Sequence, residues 1–138
     1  MNLESQVCSL ELAKRLKELG ATQESLFYWN YDDAGTKPRI TFGHWIHTKQ
    51  MDSPNWRECS AFSVAEIWGK LPHRLEADNL TSFLVMKRVK QTDGTTRTVL
   101  NYEMISGTIH PWCQNEESLA EACAKMLIYL IENGLVKP

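Results

Sequence analysis

Four residues of this sequence have the types and spacing of a metal site. His44-x-x-His47 and His110-x-x-Cys113 are two pairs of nitrogen and sulfur ligands, each pair separated by two residues. Two such pairs can close a tetrahedral zinc site, since zinc takes four ligands of this kind. Geometry weighs against it. Residues three apart on a strand point to opposite faces, and His44 and His47 fall within a strand pattern. A zinc site requires a turn or bulge at Gly43, with the loop carrying His110 brought alongside. Four unrelated polar or half-buried side chains are the simpler account, and no metal or other cofactor is expected.

Nucleophilic and acid–base chemistry find less support. Cys59 and Cys113 lie in segments that read as loops, but nothing near either marks an activated thiol. Asp32, Asp33, Glu58 and Glu103 are acidic residues of the kind that turns and surfaces keep solvated. No P-loop, dinucleotide-binding glycine fingerprint or H-E-x-x-H motif is present. A non-enzymatic binding protein is therefore the leading reading. A small hydrolase or metal-dependent enzyme using the histidines and cysteines is the alternative.

Binding chemistry has the better case. Five tryptophans (Trp29, Trp45, Trp56, Trp68 and Trp112) are many for 138 residues. Tryptophan carries an N–H that needs a partner when buried, and it is over-used at binding surfaces. Phe27, Trp29 and Tyr31 alternate along one strand pattern, and Arg39, Trp45 and His47 along the next. Aromatic planes beside Arg and His suit a nucleobase and a phosphate. The expected ligand set is Trp29, Tyr31, Arg39, Trp45 and His47, with Trp56 and Arg57 closing over it from a loop. The competing account is that this aromatic row is the core side of the sheet. A second cluster, Arg88, Lys90 and Arg97, is able to contact phosphates, but three basic side chains on a hairpin more often keep a face solvated.

The elements that must position these residues follow from periodicity. Cys8, Leu12, Leu16 and Leu19 recur at helical spacing, with Gly20 as the stop. Residues 26–31 and 39–47 read as a first hairpin around the turn at Asp32–Pro38. Thr48–Ala61 has no period and reads as a long loop. Ser63 and Glu66 form a capping box, flanked by a Phe62–Ile67 hydrophobic staple, and open a helix that Pro72 ends. Thr81–Ser106 reads as a second hairpin on a two-residue Asp93-Gly94 turn. That register puts Phe83, Val85, Val89, Leu100, Tyr102 and Met104 on one face. Gly107–Asn115 reads as a loop, and a last helix beginning near Asn115 carries the apolar run Met126–Ile131. The order is α-β-β-α-β-β-α. It implies an α+β fold, one antiparallel sheet built from two hairpins with about three helices, and a single domain over 1–138.

Composition bounds the rest. The chain is 43% hydrophobic and 23% charged, with a formal net charge of -2 and a pI near 6.1. That balance supports a folded, soluble domain and does not favour general nucleic-acid binding. No run approaches a membrane span, and Met1-Asn2-Leu3-Glu4 does not open a secretory signal. The four cysteines are therefore expected as reduced thiols, in a cytoplasmic protein.

Two segments carry a resemblance. One is Cys8-Ser9-Leu10-Glu11-Leu12-Ala13-Lys14-Arg15-Leu16-Lys17-Glu18-Leu19-Gly20 leading to Gln23–Trp29, and the other is Ala124–Leu135. Together, and more loosely with the Phe62–Pro72 helix, they resemble a family of small uncharacterised proteins encoded by phages and prophages. The resemblance implies an accessory protein acting in the cytoplasm of a bacterial host, including counter-defence by capture of a host immune signal. It transfers no catalytic motif. The partner implied is a host protein or a nucleotide-like small molecule. A virion component, or a homo-oligomer formed through an exposed hairpin, remains open.

Overall fold

The computed structural model describes residues 2–43, 56–104, 109–116 and 118–138. Its helices are α1 (Leu10–Glu18), α2 (Val64–Lys70) and α3 (Leu119–Glu132). Its strands are β1 (Phe27–Asp32), β2 (Arg39–Phe42), β3 (Trp56–Ser60), β4 (Arg74–Ala77), β5 (Leu80–Lys90), β6 (Thr96–Met104) and β7 (Ile109–Glu116). The fold is α+β, and both sheets are antiparallel. The two expected hairpins belong to separate sheets: β2-β1-β3 and β4-β5-β6-β7.

The helices form for the reasons the sequence suggests. In α1, Ala13 and Leu16 are buried, while Arg15 pairs with Glu18 and reaches Glu132 of α3. Gly20 follows at φ +87°, a left-handed conformation that glycine adopts without steric cost. The α2 capping box is present: Ser63 Oγ accepts from the Glu66 N–H, and Glu66 accepts from the Ser63 N–H. Phe62 and Ile67 are both buried there. In α3, eight of fourteen residues are buried, from Ala120 to Leu130, so it runs through the core. Leu16, Phe62, Ile67, Leu100, Tyr102, Met126 and Leu130 meet in one buried cluster.

Several elements differ from expectation. Residues 56–60 form β3, inside the segment read as a loop. They pair along the free side of β1, with Trp29 opposite Cys59 and Tyr31 opposite Arg57. No apolar alternation marks β3, because each of its faces mixes apolar residues with charged or polar ones. Residues 109–116 form β7, again where a loop was expected. Pro111 is compatible with that because β7 is an edge strand, which among the described residues pairs on one side alone. Residues 74–77 form β4, a short edge strand with no sequence signal. Pairing of Asn115 and Glu116 with Val99 and Thr98 delays the last helix, which begins at Leu119 rather than near Asn115.

The second hairpin is shifted by one residue. Gly94 at φ +86° closes a three-residue loop, Thr92–Gly94, with Gln91 and Thr95 bonded across it. Met86 therefore lies opposite Leu100, and Leu84 opposite Tyr102. A one-residue slip moves every side chain of a strand to the other face. Leu84, not Phe83 or Val85, joins Leu100 and Tyr102 in the core, and Phe83, Val85 and Val89 face the other way. Arg97 shares that second face, whereas Arg88 and Lys90 do not. The expected basic cluster is split.

Candidate functional site

Tyr31, near the end of β1, and Arg57, opposite it on β3, project from the same face of the three-stranded sheet. Asp33 follows one residue beyond β1. Against them α1 presents Lys14, Lys17 and Glu18, three positions that share a helix face. These six residues line an open cleft of about 330 Å³. That volume lies at the lower end of the range usual for small-ligand sites.

The cleft gathers three cations and two carboxylates. Lys14 Nζ sits 4.1 Å from the centroid of the Tyr31 ring, a cation–π contact. Lys17 Nζ donates to the Glu58 carbonyl at 2.7 Å. Arg57 Nη2 lies 2.7 Å from Asp33 Oδ2. Both members of that ion pair are more than 60% exposed, where such a pair contributes about 0–1 kcal/mol. An anion of higher charge density can therefore displace Asp33 from the planar guanidinium fork. Burial raises the Tyr31 phenol above its ordinary value, with neighbouring Cys59 adding to the rise and Arg57 opposing it. Tyr31 is thus a neutral wall at physiological pH.

The expected ligand set is only partly assembled here. Tyr31 and Arg57 line the cleft. Trp29 does not: it is a core residue whose Nε1 donates to the Cys8 carbonyl at 2.9 Å. Arg39 lies opposite Asn30, on the sheet face away from Trp29 and Tyr31, because register puts Ile40 and Phe42 beside the aromatic row. Trp56 lies opposite Asp32 and shares that other face. Trp45 and His47 lie outside the described residues, as does His44. The side chains of His110 and Cys113 lie outside them too. Among the described residues, no group of His, Cys, Asp and Glu is placed to hold a metal ion.

Four cleft residues are hidden in the sequence. Lys14, Lys17 and Glu18 look like the solvated side of an amphipathic helix, and Asp33 looks like a turn residue. Their only signal is that Lys14 and Lys17 are three apart on α1, and nothing in the sequence says which strand faces them.

The described thiols are poor nucleophiles. Burial pushes Cys8 up to about 12 and Cys59 and Cys123 each up to about 11. Lys17 and Lys14 pull Cys59 back only in part. A thiol is reactive through its thiolate, which these three do not populate near neutrality.

Among the described residues, no helix is long and apolar enough to cross a membrane. Compared with known proteins, the chain matches no family model, no curated protein and no solved structure.

Proposed function

We propose that this chain is a non-enzymatic binding protein that holds the phosphate end of a nucleotide-like small molecule between α1 and the β1–β3 ladder. The observation that carries this reading is the convergence of Lys14, Lys17 and Arg57 on one cleft walled by Tyr31. Arg57 supplies a bidentate fork, and the two lysines supply point charges beside it. The base end of such a ligand meets no free aromatic plane among the described cleft residues, because Tyr31 is buried beneath Lys14. Recognition at this site therefore centres on the anion. The accessory role in a bacterial host that the family resemblance implies is compatible with sequestering such a signal, and it belongs to this proposal.

Calorimetry with adenosine 5′-monophosphate, adenosine and inorganic phosphate tests the reading. The monophosphate is expected to bind and adenosine is not, and Arg57→Ala is expected to weaken binding about tenfold or more, the loss of a hydrogen bond to a charged group. Asp33→Asn is expected to tighten it, since the competing carboxylate charge is gone. Equal binding of adenosine and its monophosphate, or an Arg57→Ala variant that binds as wild type, refutes the proposal.

A further inference from the structure

The β5–β6 hairpin outruns its own sheet. β4 pairs with β5 only from Leu80 to Phe83, and the last bond on that side runs from the Leu84 N–H to the His73 carbonyl. Beyond it, among the described residues, no strand lies along β5, and Met86 to Lys90 are all exposed. Residues of an antiparallel strand point their N–H and C=O alternately toward one neighbour and the other. Gln91 bonds to Thr95 across the hairpin, so Val89, Lys87 and Val85 also face β6. The backbone N–H and C=O groups of Met86, Arg88 and Lys90 therefore face the open edge.

That edge is basic. Residues 86–98 hold Lys87, Arg88, Lys90 and Arg97 against Asp93 alone, a surplus of three positive charges in a chain whose formal net charge is -2. Lys87 is paired to Glu103. We infer that the open edge of β5 from Val85 to Lys90 is a docking site for an extended acidic peptide segment of a partner protein, which adds to the sheet as a further strand. Three observations select this occupant. The edge alternates donors and acceptors, which a peptide strand satisfies and a phosphate backbone does not. Met86 is 46% exposed and Val89 39% exposed, so each face of the arm carries an apolar side chain beside its cations and offers contacts to side chains of an added strand. A second copy of this chain would set its own Arg88 and Lys90 against the same residues, and like charges across a strand pair repel. Edge lysines and arginines are a recognised guard against self-pairing. The same charges that repel a copy attract an acidic strand.

The test uses the full chain labelled with nitrogen-15 and a short, capped peptide of alternating glutamate and valine. Two further peptides carry N-methyl groups on one or the other alternate set of residues, and another has lysine in place of glutamate. A single-stranded oligonucleotide is titrated in parallel. The acidic peptide is expected to move the amides of Met86, Arg88 and Lys90. One N-methyl set is expected to lose about tenfold or more in affinity while the other binds as the parent does. The lysine peptide is expected not to bind, and Arg88→Glu is expected to weaken the acidic peptide about tenfold. Arg88→Pro removes one outward N–H while keeping the ladder to β6, and is expected to weaken it similarly. Equal binding by both N-methyl peptides, shifts confined to other regions, no binding of the acidic peptide, or tighter binding of the oligonucleotide each overturns the inference. The peptide comparison uses the unmodified protein, so misfolding of a variant does not change its outcome.

Discussion

In the first hairpin β1 is buried on both faces, whereas in the second β5 runs out into solvent on both. In β1, Trp29 and Tyr31 face the helices and are buried, yet Tyr28 and Asn30 on the opposite face are buried as well. In β5, the residues from Met86 to Lys90 are exposed whichever way they point. Both are antiparallel hairpins with aromatic or β-branched residues, so strand propensity does not separate them. What separates them is how much of each strand has neighbours. β1 is the central strand of its sheet and lies next to α1, whereas β5, among the described residues, has a partner on its outer side only for its first few residues. A strand's sequence states which residues share a face, and the rest of the fold decides whether a face is wet.

The largest expected effect lies in the buried strand β1. Trp29→Ala removes a buried indole from the core and leaves the Cys8 carbonyl without its donor. The expected loss is about 3–5 kcal/mol in urea unfolding, the usual cost of deleting a large buried aromatic. A loss near 1 kcal/mol would mean that the aromatic face of β1 is open after all, as a stacking site for a base requires. The second face of β1 gives the next effect, and with the opposite sign. Among the described residues, Ser60 Oγ is buried with no hydrogen-bond partner, and so is Asn30 Oδ1 on the same face. An unmatched buried hydroxyl carries a desolvation penalty of about 1–3 kcal/mol, so Ser60→Ala is expected to be neutral or to raise stability by about 1 kcal/mol. A clear destabilisation would show that the hydroxyl has a partner, such as an ordered water.

Much of this contrast was legible in the sequence where it depended on nearby residues. The Ser63–Glu66 capping box, the α1 stripe with its glycine stop, and the apolar α3 all follow from signals within one or two turns. What was not legible depended on distant partners. β3 reads as a loop because Arg57 and Cys59 face the helices while Trp56, Glu58 and Ser60 face away, a pattern without apolar alternation. The second hairpin's register turned on whether the loop holds two residues or three, and Asp93-Gly94 serves both. The candidate cleft was legible only in part for the same reason. Tyr31 and Arg57 announce themselves as an aromatic and a cation, but Lys14 and Lys17 become site residues only because α1 packs beside them.

The junction between α2 and the first hairpin supplies a pH-dependent comparison. Glu66 accepts from the Leu26 N–H at 2.9 Å as well as from Ser63, so one carboxylate ties α2 to the start of β1. Burial raises its pKa, but hydrogen bonds from Ser63 and the Leu26 N–H outweigh that, and the group is held below the ordinary glutamate value. A folded-state value below the unfolded one gives stability that is present above the unfolded value, about 4.3, and is lost as pH falls through the folded value. Melting temperature of the wild type is therefore expected to fall more steeply below about pH 4.3 than that of Glu66→Gln. The two curves running parallel would place this acid sensitivity elsewhere. Hydrogen exchange adds a regional readout: amides of β1 lose protection in that range, while the outward amides of Met86, Arg88 and Lys90 are unprotected throughout.

The smallest expected effect is the one that most directly tests the free arm. Met126 and Met86 are the same residue type, one fully buried in α3 and the other 46% exposed on β5. Met126→Ala removes packed core atoms and is expected to cost about 2–5 kcal/mol. Met86→Ala removes atoms that water already reaches, and is expected to change stability by no more than about 0.5 kcal/mol. Alanine's weaker strand preference enters that figure, but on a solvated edge it contributes only tenths of a kcal/mol. A Met86→Ala cost above about 1.5 kcal/mol requires that something in the folded chain packs on the arm. In that case the sheet face that carries Met86 is covered, and Met86 is not free to contact the side chains of a docked strand.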